Sequence, residues 1–282
     1  MYKGKKITGQ LIAQVTLALL AIFVLLPVLT MVRLAFDGSI RVAPTDFRLI
    51  PKQFTLQVFQ QVWQHPAQTL TFVQLLGNSL FVSTGTALLC LLLGTTTAYA
   101  FARYRFPGRR EGLFFLLLGT LLPPVALMTP LFILLTVLKL RTSLVGLIIV
   151  YTAFILPFCI WNIRSAFQAV PRELEESAFL DGATPWISFW RIQMPLALPS
   201  LLVAGLVAFL AGYSEFAIGW LFVQNSKNVT LAMAMIASYN QSGVSWSAMS
   251  AMAVLMSAPV VIIFLALKRT LLDRLVVSSQ VD

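Results

Sequence analysis

The sequence predicts an all-α polytopic membrane protein of about six transmembrane helices, with one cytoplasmic hairpin loop and both termini in the cytoplasm (N-in, C-in). Three observations predict it. Hydrophobic residues make up 59% of the 282 and charged residues only 11%, whereas a soluble domain carries about 25% charged. The apolar residues fall in runs near the roughly 20 needed to span a bilayer. Lys and Arg gather at the ends of those runs, so the net charge of +10 reads as membrane orientation rather than nucleic-acid binding. Residues 1–282 are read as one transmembrane domain.

The first span is placed at 11–32. Lys3, Lys5 and Lys6 precede it as in a signal peptide, but its apolar core is too long and it lacks a small-x-small cleavage site, so it is expected to be retained. A mixed polar loop follows, with an amphipathic stretch at Phe54 to Trp63 suited to a surface helix. The second span, 78–101, is rich in Ser, Thr, Gly and Ala, small residues that let helix backbones approach closely in lipid. The third, 112–138, contains Pro123 and Pro124, each of which removes a backbone donor. Such a break at membrane depth is tolerated only against protein or a water-lined cavity, so these prolines mark either a simple kink or a substrate pathway.

A tight turn at Lys139 to Thr142 leads to the fourth span, 143–163. The fifth is placed at 198–222 and the sixth at 247–267, with a polar loop from Val223 to Trp246 between them. Thirteen of the 20 basic residues fall on the side assigned to the cytoplasm, including the loop Arg103, Arg105, Arg109 and Arg110. Cys90 and Cys159 lie inside apolar runs and read as small hydrophobes. With one histidine, His65, no metal site is expected.

The segment 171–195 is the longest charged stretch after a span. Pro171 suits a first helical position, and Glu173, Glu175 and Glu176 load the first turns, where the helix dipole favours acids. Asp181-Gly182 should end that helix with glycine as its C-terminal cap. Thr184 can cap a second helix with Pro185 at its start, and Pro195 is expected to end it. Physics alone leaves this an interfacial hairpin or a docking element. Glu176-Ser177-Ala178, Gly182 and Ile192-Gln193-Met194-Pro195 resemble the EAA loop of ATP-binding-cassette (ABC) importer permeases, with Ser177 in place of an alanine and Met194 in place of a leucine. Ala98 to Gly108, Pro123-Pro124, Leu156-Pro157-Phe158 and Pro171 to Glu176 resemble the carbohydrate-uptake, maltose-type branch, its second six-helix permease.

That resemblance implies a bacterial or archaeal cytoplasmic-membrane permease that imports a sugar by alternating access. It implies that the hairpin couples to an ATPase through Glu175, Glu176, Ser177, Ala178, Asp181, Gly182 and Pro195. It also implies a second permease subunit, two ATP-binding subunits and an extracytoplasmic sugar-binding protein as partners, besides lipid, and no nucleic acid. The chain has no G-x-x-x-x-G-K-[ST] loop, so ATP and Mg are expected on partner subunits, with no cofactor and no catalytic residue here. Tyr213, Ser214 and Glu215 are candidates for the pore or gate along with the two prolines. Glu215 either lines the pore or hydrogen-bonds a partner permease, because an acid at membrane depth needs a cavity or a partner. Tyr239, Asn240 and Gln241 are candidates to meet the binding protein, the alternative being a solvated loop. The rival readings are an ABC permease for a non-sugar solute and a secondary transporter. The latter would want several intramembrane ionisable groups and inverted repeats.

Overall fold

The computed structural model describes residues 2–39, 48, 50–64, 66, 70–223, 226–239 and 245–278. Twelve α-helices carry the described chain. They are α1 (Tyr2–Ala35), α2 (Gln57–Gln64), α3 (Phe72–Arg103), α4 (Arg109–Leu121), α5 (Met128–Val137), α6 (Leu144–Ala169), α7 (Arg172–Leu180), α8 (Pro185–Ser188), α9 (Met194–Ser214), α10 (Ala217–Phe222), α11 (Leu231–Tyr239) and α12 (Trp246–Ser278).

Among the described residues, five helical segments are long and apolar enough to cross a membrane: Gln10–Ala35, Phe72–Arg103, Leu144–Ala169, Pro185–Ser214 and Trp246–Lys268. The expected span at 112–138 is discontinuous. Leu122, the residue before Pro123, is extended (φ −71°, ψ 123°), because proline crowds the helical region of its predecessor. A 3₁₀ turn over Pro124–Leu127 then leads into α5. The fifth span also differs from expectation. It starts at Pro185 and stops at Ser214, and the chain resumes as α10 after an extended Glu215 (ψ 133°). The polar loop expected after it instead holds α11, whose Leu231, Ala232, Met233 and Ala234 are buried.

The chain forms two compact units, residues 1–72 with 235–258 and residues 73–234 with 259–282. In the first unit the expected surface helix is present as α2, with Val58 and Val62 buried. Beyond α1 the chain bends back through a bridge between Asp37 and Phe54. The Asp37 carboxylate accepts from Ser39 Oγ (2.6 Å), Ser39 N (3.2 Å) and Lys52 N (2.8 Å), and lies 3.6 Å from Arg33 Nη2. The Ser247 hydroxyl donates to the Asp37 carbonyl.

In the second unit α6 packs along α9, with α3 against both. The small residues of α3 make this possible, as expected for a helix held by close backbone contact. Ser79, Ser83 and Thr86 are fully buried. A Cβ on Gly212 of α9 would stand 3.1 Å from the Ser83 Cα, and one on Gly94 would meet Cys159. Both cysteines are free and buried, each with its thiol directed at a carbonyl, Thr152 for Cys90 and Ala204 for Cys159. Lys139 and Thr142 take positive φ in the tight turn before α6, and Ser143 caps that helix by accepting from Gly146 N.

Candidate functional site

The segment 171–195 folds as a helical hairpin at the foot of α6 and α9. Its first arm, α7, ends in a Schellman turn: Gly182 N donates to Phe179 O (3.0 Å) and Ala183 N to Ala178 O (2.9 Å). Gly182 has φ +84°, a left-handed conformation that costs an L-residue roughly 1–2 kcal/mol. Thr184 then caps α8, accepting from Ile187 N.

Pro195 does not end the second arm, contrary to expectation. The chain passes through a π turn, Phe189–Gln193, straight into α9, with Pro195 near its start. Met194 N donates back five residues to Phe189 O. A widened turn directly before the proline is a place where the regular i−4 bonding that proline disrupts is already interrupted. The hairpin is therefore continuous with a helix long and apolar enough to cross a membrane.

The predicted coupling residues divide by face. Glu176, Ser177, Asp181, Gly182 and Pro195 are exposed, Ala178 is half-buried, and Leu180 beside the turn is 90% exposed. Glu175 is the exception, only 9% exposed. Its carboxylate turns inward: Oε2 lies 3.3 Å from Arg103 Nε, and Oε1 accepts from the Tyr99 hydroxyl (3.3 Å). Arg103 Nη2 donates to Val170 O (2.9 Å) and to Oε1 of the fully buried Gln193 (3.1 Å). The Tyr99 ring meets Phe189 and Phe167 edge-on at 4.7 and 5.4 Å.

Sequence reasoning missed Tyr99, Arg103 and Gln193. Arg103 counted only as an orientation cue, and one signal was available: an arginine closing a helix that ends beside an acid-rich hairpin. Two further arginines, Arg109 and Arg164, each donate to the Phe101 carbonyl at the C-terminal turn of α3, where the helix dipole favours cations.

The pore candidates lie apart from the hairpin. Glu215 is not inside a helix. Its two oxygens accept from Ile218 N (2.9 Å) and Gly219 N (3.2 Å), which caps α10. The carboxylate is thus held by backbone donors in the break. Tyr213 is buried and stacks on Phe209 at 5.6 Å, while Ser214 is exposed and bonds back to Leu210 O. Pro123 and Pro124 sit in the exposed break between α4 and α5. Nearby in the chain, the far end of α3 holds the 226–231 segment. Asn78 Nδ2 donates to Lys227 O and Val229 O (2.8 and 2.9 Å), and Leu231 N donates to Ser79 Oγ (2.8 Å). Tyr239 closes α11, whereas Asn240 and Gln241 lie outside the described residues.

A spanning bundle with a hairpin of this kind has counterparts. Residues 91–277 match the family model for the binding-protein-dependent transport system inner membrane component. The chain belongs to that family. It is a multi-pass inner-membrane permease subunit. This permease is 34% identical over 206 residues to the maltose/maltodextrin transport system permease protein MalG of Salmonella typhimurium, covering 71% of this chain and 69% of that one. It is 29% identical over 249 residues to the trehalose transport system permease protein SugB of Mycobacterium tuberculosis (88% and 89% covered). It is also 29% identical over 274 residues to the galactooligosaccharides transport system permease protein GanQ of Bacillus subtilis (97% and 96%). The permease shares its fold with the crystal structure of a bacterial ABC transporter involved in the import of the acidic polysaccharide alginate. The TM-score is 0.75 at 20% identity, covering 94% of this chain and 97% of that one.

Proposed function

We propose that this permease imports a sugar, pairs with a second permease subunit, and is driven by two ATP-binding subunits, one of which docks on the hairpin 171–195. The observation that carries the coupling part is the division of the hairpin's faces. Its outer side presents Glu176, Ser177, Asp181 and Gly182 to solvent, while its inner side is fastened to α3. Among the described residues, and apart from its two chain neighbours, nothing lies within 4 Å of a Gly182 Cβ, which leaves room for another protein to come close. The sugar assignment rests on the relatives named for maltose/maltodextrin, trehalose and galactooligosaccharides.

In this reading the N- and C-termini and the hairpin lie in the cytoplasm, and ATP and Mg bind the partners. Closure of the ATPases pushes the hairpin, and the helices rooted in it switch the pore between inward and outward openings. Two states of similar free energy let nucleotide and the loaded binding protein bias the balance. The segment around Tyr239, Asn240 and Gln241 faces the binding protein, and the breaks at Pro123-Pro124 and at Glu215 lie along the path of the solute. ATPase stimulation of the reconstituted complex across a panel of oligosaccharides, amino acids and peptides tests the assignment. Stimulation by an oligosaccharide with its binding protein is expected. Stimulation only by amino acids or peptides would replace the sugar.

A further inference from the structure

We propose that Arg103 is a positioning residue that locks the hairpin to α3, so that the hairpin and α3 move as one body through the nucleotide cycle. The proposal rests on the reading of the hairpin as the ATPase-docking element.

One guanidinium reaches three separate parts of the hairpin. It donates from Nη2 to the Val170 carbonyl at the end of α6 and to the Gln193 amide oxygen in the π turn, and its Nε lies 3.3 Å from the Glu175 carboxylate on α7 as an ion pair. These are the root of the first arm, the first arm itself and the root of the second. Arg103 is the last residue of α3, so a single side chain joins that helix to both arms. The planar fork of arginine suits donation to several acceptors at once, which a lysine point charge would not reproduce. The Arg103 and Glu175 side chains are 7% and 11% exposed, and Gln193 is fully buried. In such surroundings polar contacts strengthen, and slippage would leave unpaired groups in a dry site. Tyr99, one turn earlier on the same face of α3, adds its hydroxyl to Glu175 and its ring to Phe189.

The far end of α3 carries the second half of the argument. Ser79 to Arg103 is 25 residues of helix, about 36 Å, enough to cross a hydrocarbon core of about 30 Å. There Asn78 and Ser79 hold the backbone of Lys227, Val229 and Leu231. A displacement of the hairpin therefore reaches the 226–231 segment through one continuous helix fastened by side chains at both ends. Without Arg103 the hairpin would drive α6 and α9 through chain continuity and reach α3 only through apolar side-chain packing and the Tyr99 contact.

The test uses the complete transporter, purified with its partner subunits. Spin labels are placed at Thr96→Cys on α3 and Leu180→Cys on the hairpin, both exposed positions. The native Cys90 and Cys159 are buried, so they stay unlabelled. The distance distribution is measured without nucleotide and after trapping with ATP and vanadate. The expected result is one narrow distribution, the same in both states. Glu175→Gln, close to isosteric, is expected to broaden it and to raise the ATP consumed per solute moved by at least about fivefold. Gln193→Leu removes one acceptor and leaves the ion pair, and serves if Glu175→Gln fails to assemble. It is expected to broaden the distribution less. A wild-type distance that changes on trapping overturns the proposal, as does an unchanged distribution in the assembled variants. Cross-linking of Ala178→Cys to the ATPase, run in parallel, reports on docking alone. Its absence would remove the docking reading, whatever the spin labels show.

Discussion

Gly182 joins a left-handed backbone to an exposed turn. Its φ of +84° makes any L-residue there strained by roughly 1–2 kcal/mol, yet a Cβ meets nothing in its own chain. Gly182→Ala is therefore expected to be tolerated by the fold. Gly182→Asp adds bulk and charge at the turn and is expected to lower transport relative to ATP hydrolysis, or to block ATPase assembly, while the permease still inserts. Uptake assays on membranes with matched permease levels check this, and wild-type uptake by Gly182→Asp would contradict the role of the turn. A second residue-scale prediction concerns Asp37. Burial alone would raise its pKa, but hydrogen bonds from the Ser39 hydroxyl and from the Lys52, Ser39 and Gln53 backbone outweigh that and hold it below the ordinary aspartate range. A depressed carboxylate pKa contributes stability above the unfolded value that is lost as pH falls through the folded one. Protection of the Lys52 and Ser39 amides against hydrogen exchange should hold at pH 7 and fall below about pH 4. Protection maintained well below that pH would mean that the charged form of Asp37 is not what holds the bend.

At the scale of elements, the close approach of α3 and α9 makes the sharpest prediction. A Cβ on Gly212 would press on the Ser83 backbone at 3.1 Å and on the Thr86 hydroxyl at 3.2 Å. Gly212→Val is expected to cost about 1–3 kcal/mol through overpacking. Gly119→Ala, where a Cβ meets nothing within 4 Å, should leave stability unchanged or raise it by about 0.5–1 kcal/mol. Thermal unfolding of the two variants in the same detergent distinguishes them, and equal stabilities would mean that α3 and α9 do not pack as described. Much of this level was legible in the sequence, and the exceptions have physical causes. The small residues of α3 announced a packed helix because only packing explains them in lipid. Pro123-Pro124 announced a break but not its extent. The interruption at Glu215 was hidden because Tyr213 to Phe222 is apolar on both sides of it, and a capping carboxylate looks the same in a sequence as a buried one. Pro195 was misread as a stop because the π turn that accommodates it has no sequence signature. Glu175 was grouped with its exposed neighbours because helical spacing alone does not say which face turns inward. The buried position of Arg103, at the end of another helix, decides that.

For the whole molecule, the hairpin, the π turn and α9 form one piece, and Arg103 joins that piece to α3. Breaking a buried ion pair by removing one partner typically costs about 3–5 kcal/mol, so Arg103→Ala is expected to reduce the amount of assembled complex, and Glu175→Gln, which keeps the shape but leaves Arg103 without its counter-charge, to reduce it less. The same arrangement predicts that the purified subunit alone, in liposomes, neither hydrolyses ATP nor moves sugar. The most direct measurement is a cross-link. Ala178→Cys, in the complete transporter in native membranes, is expected to be captured by a cysteine on the ATP-binding subunit, with a yield that changes when ATP and vanadate trap the closed state. Failure to capture that subunit in any nucleotide state, or modification of Ala178→Cys by a membrane-impermeant thiol reagent applied from the outer side, would contradict the account.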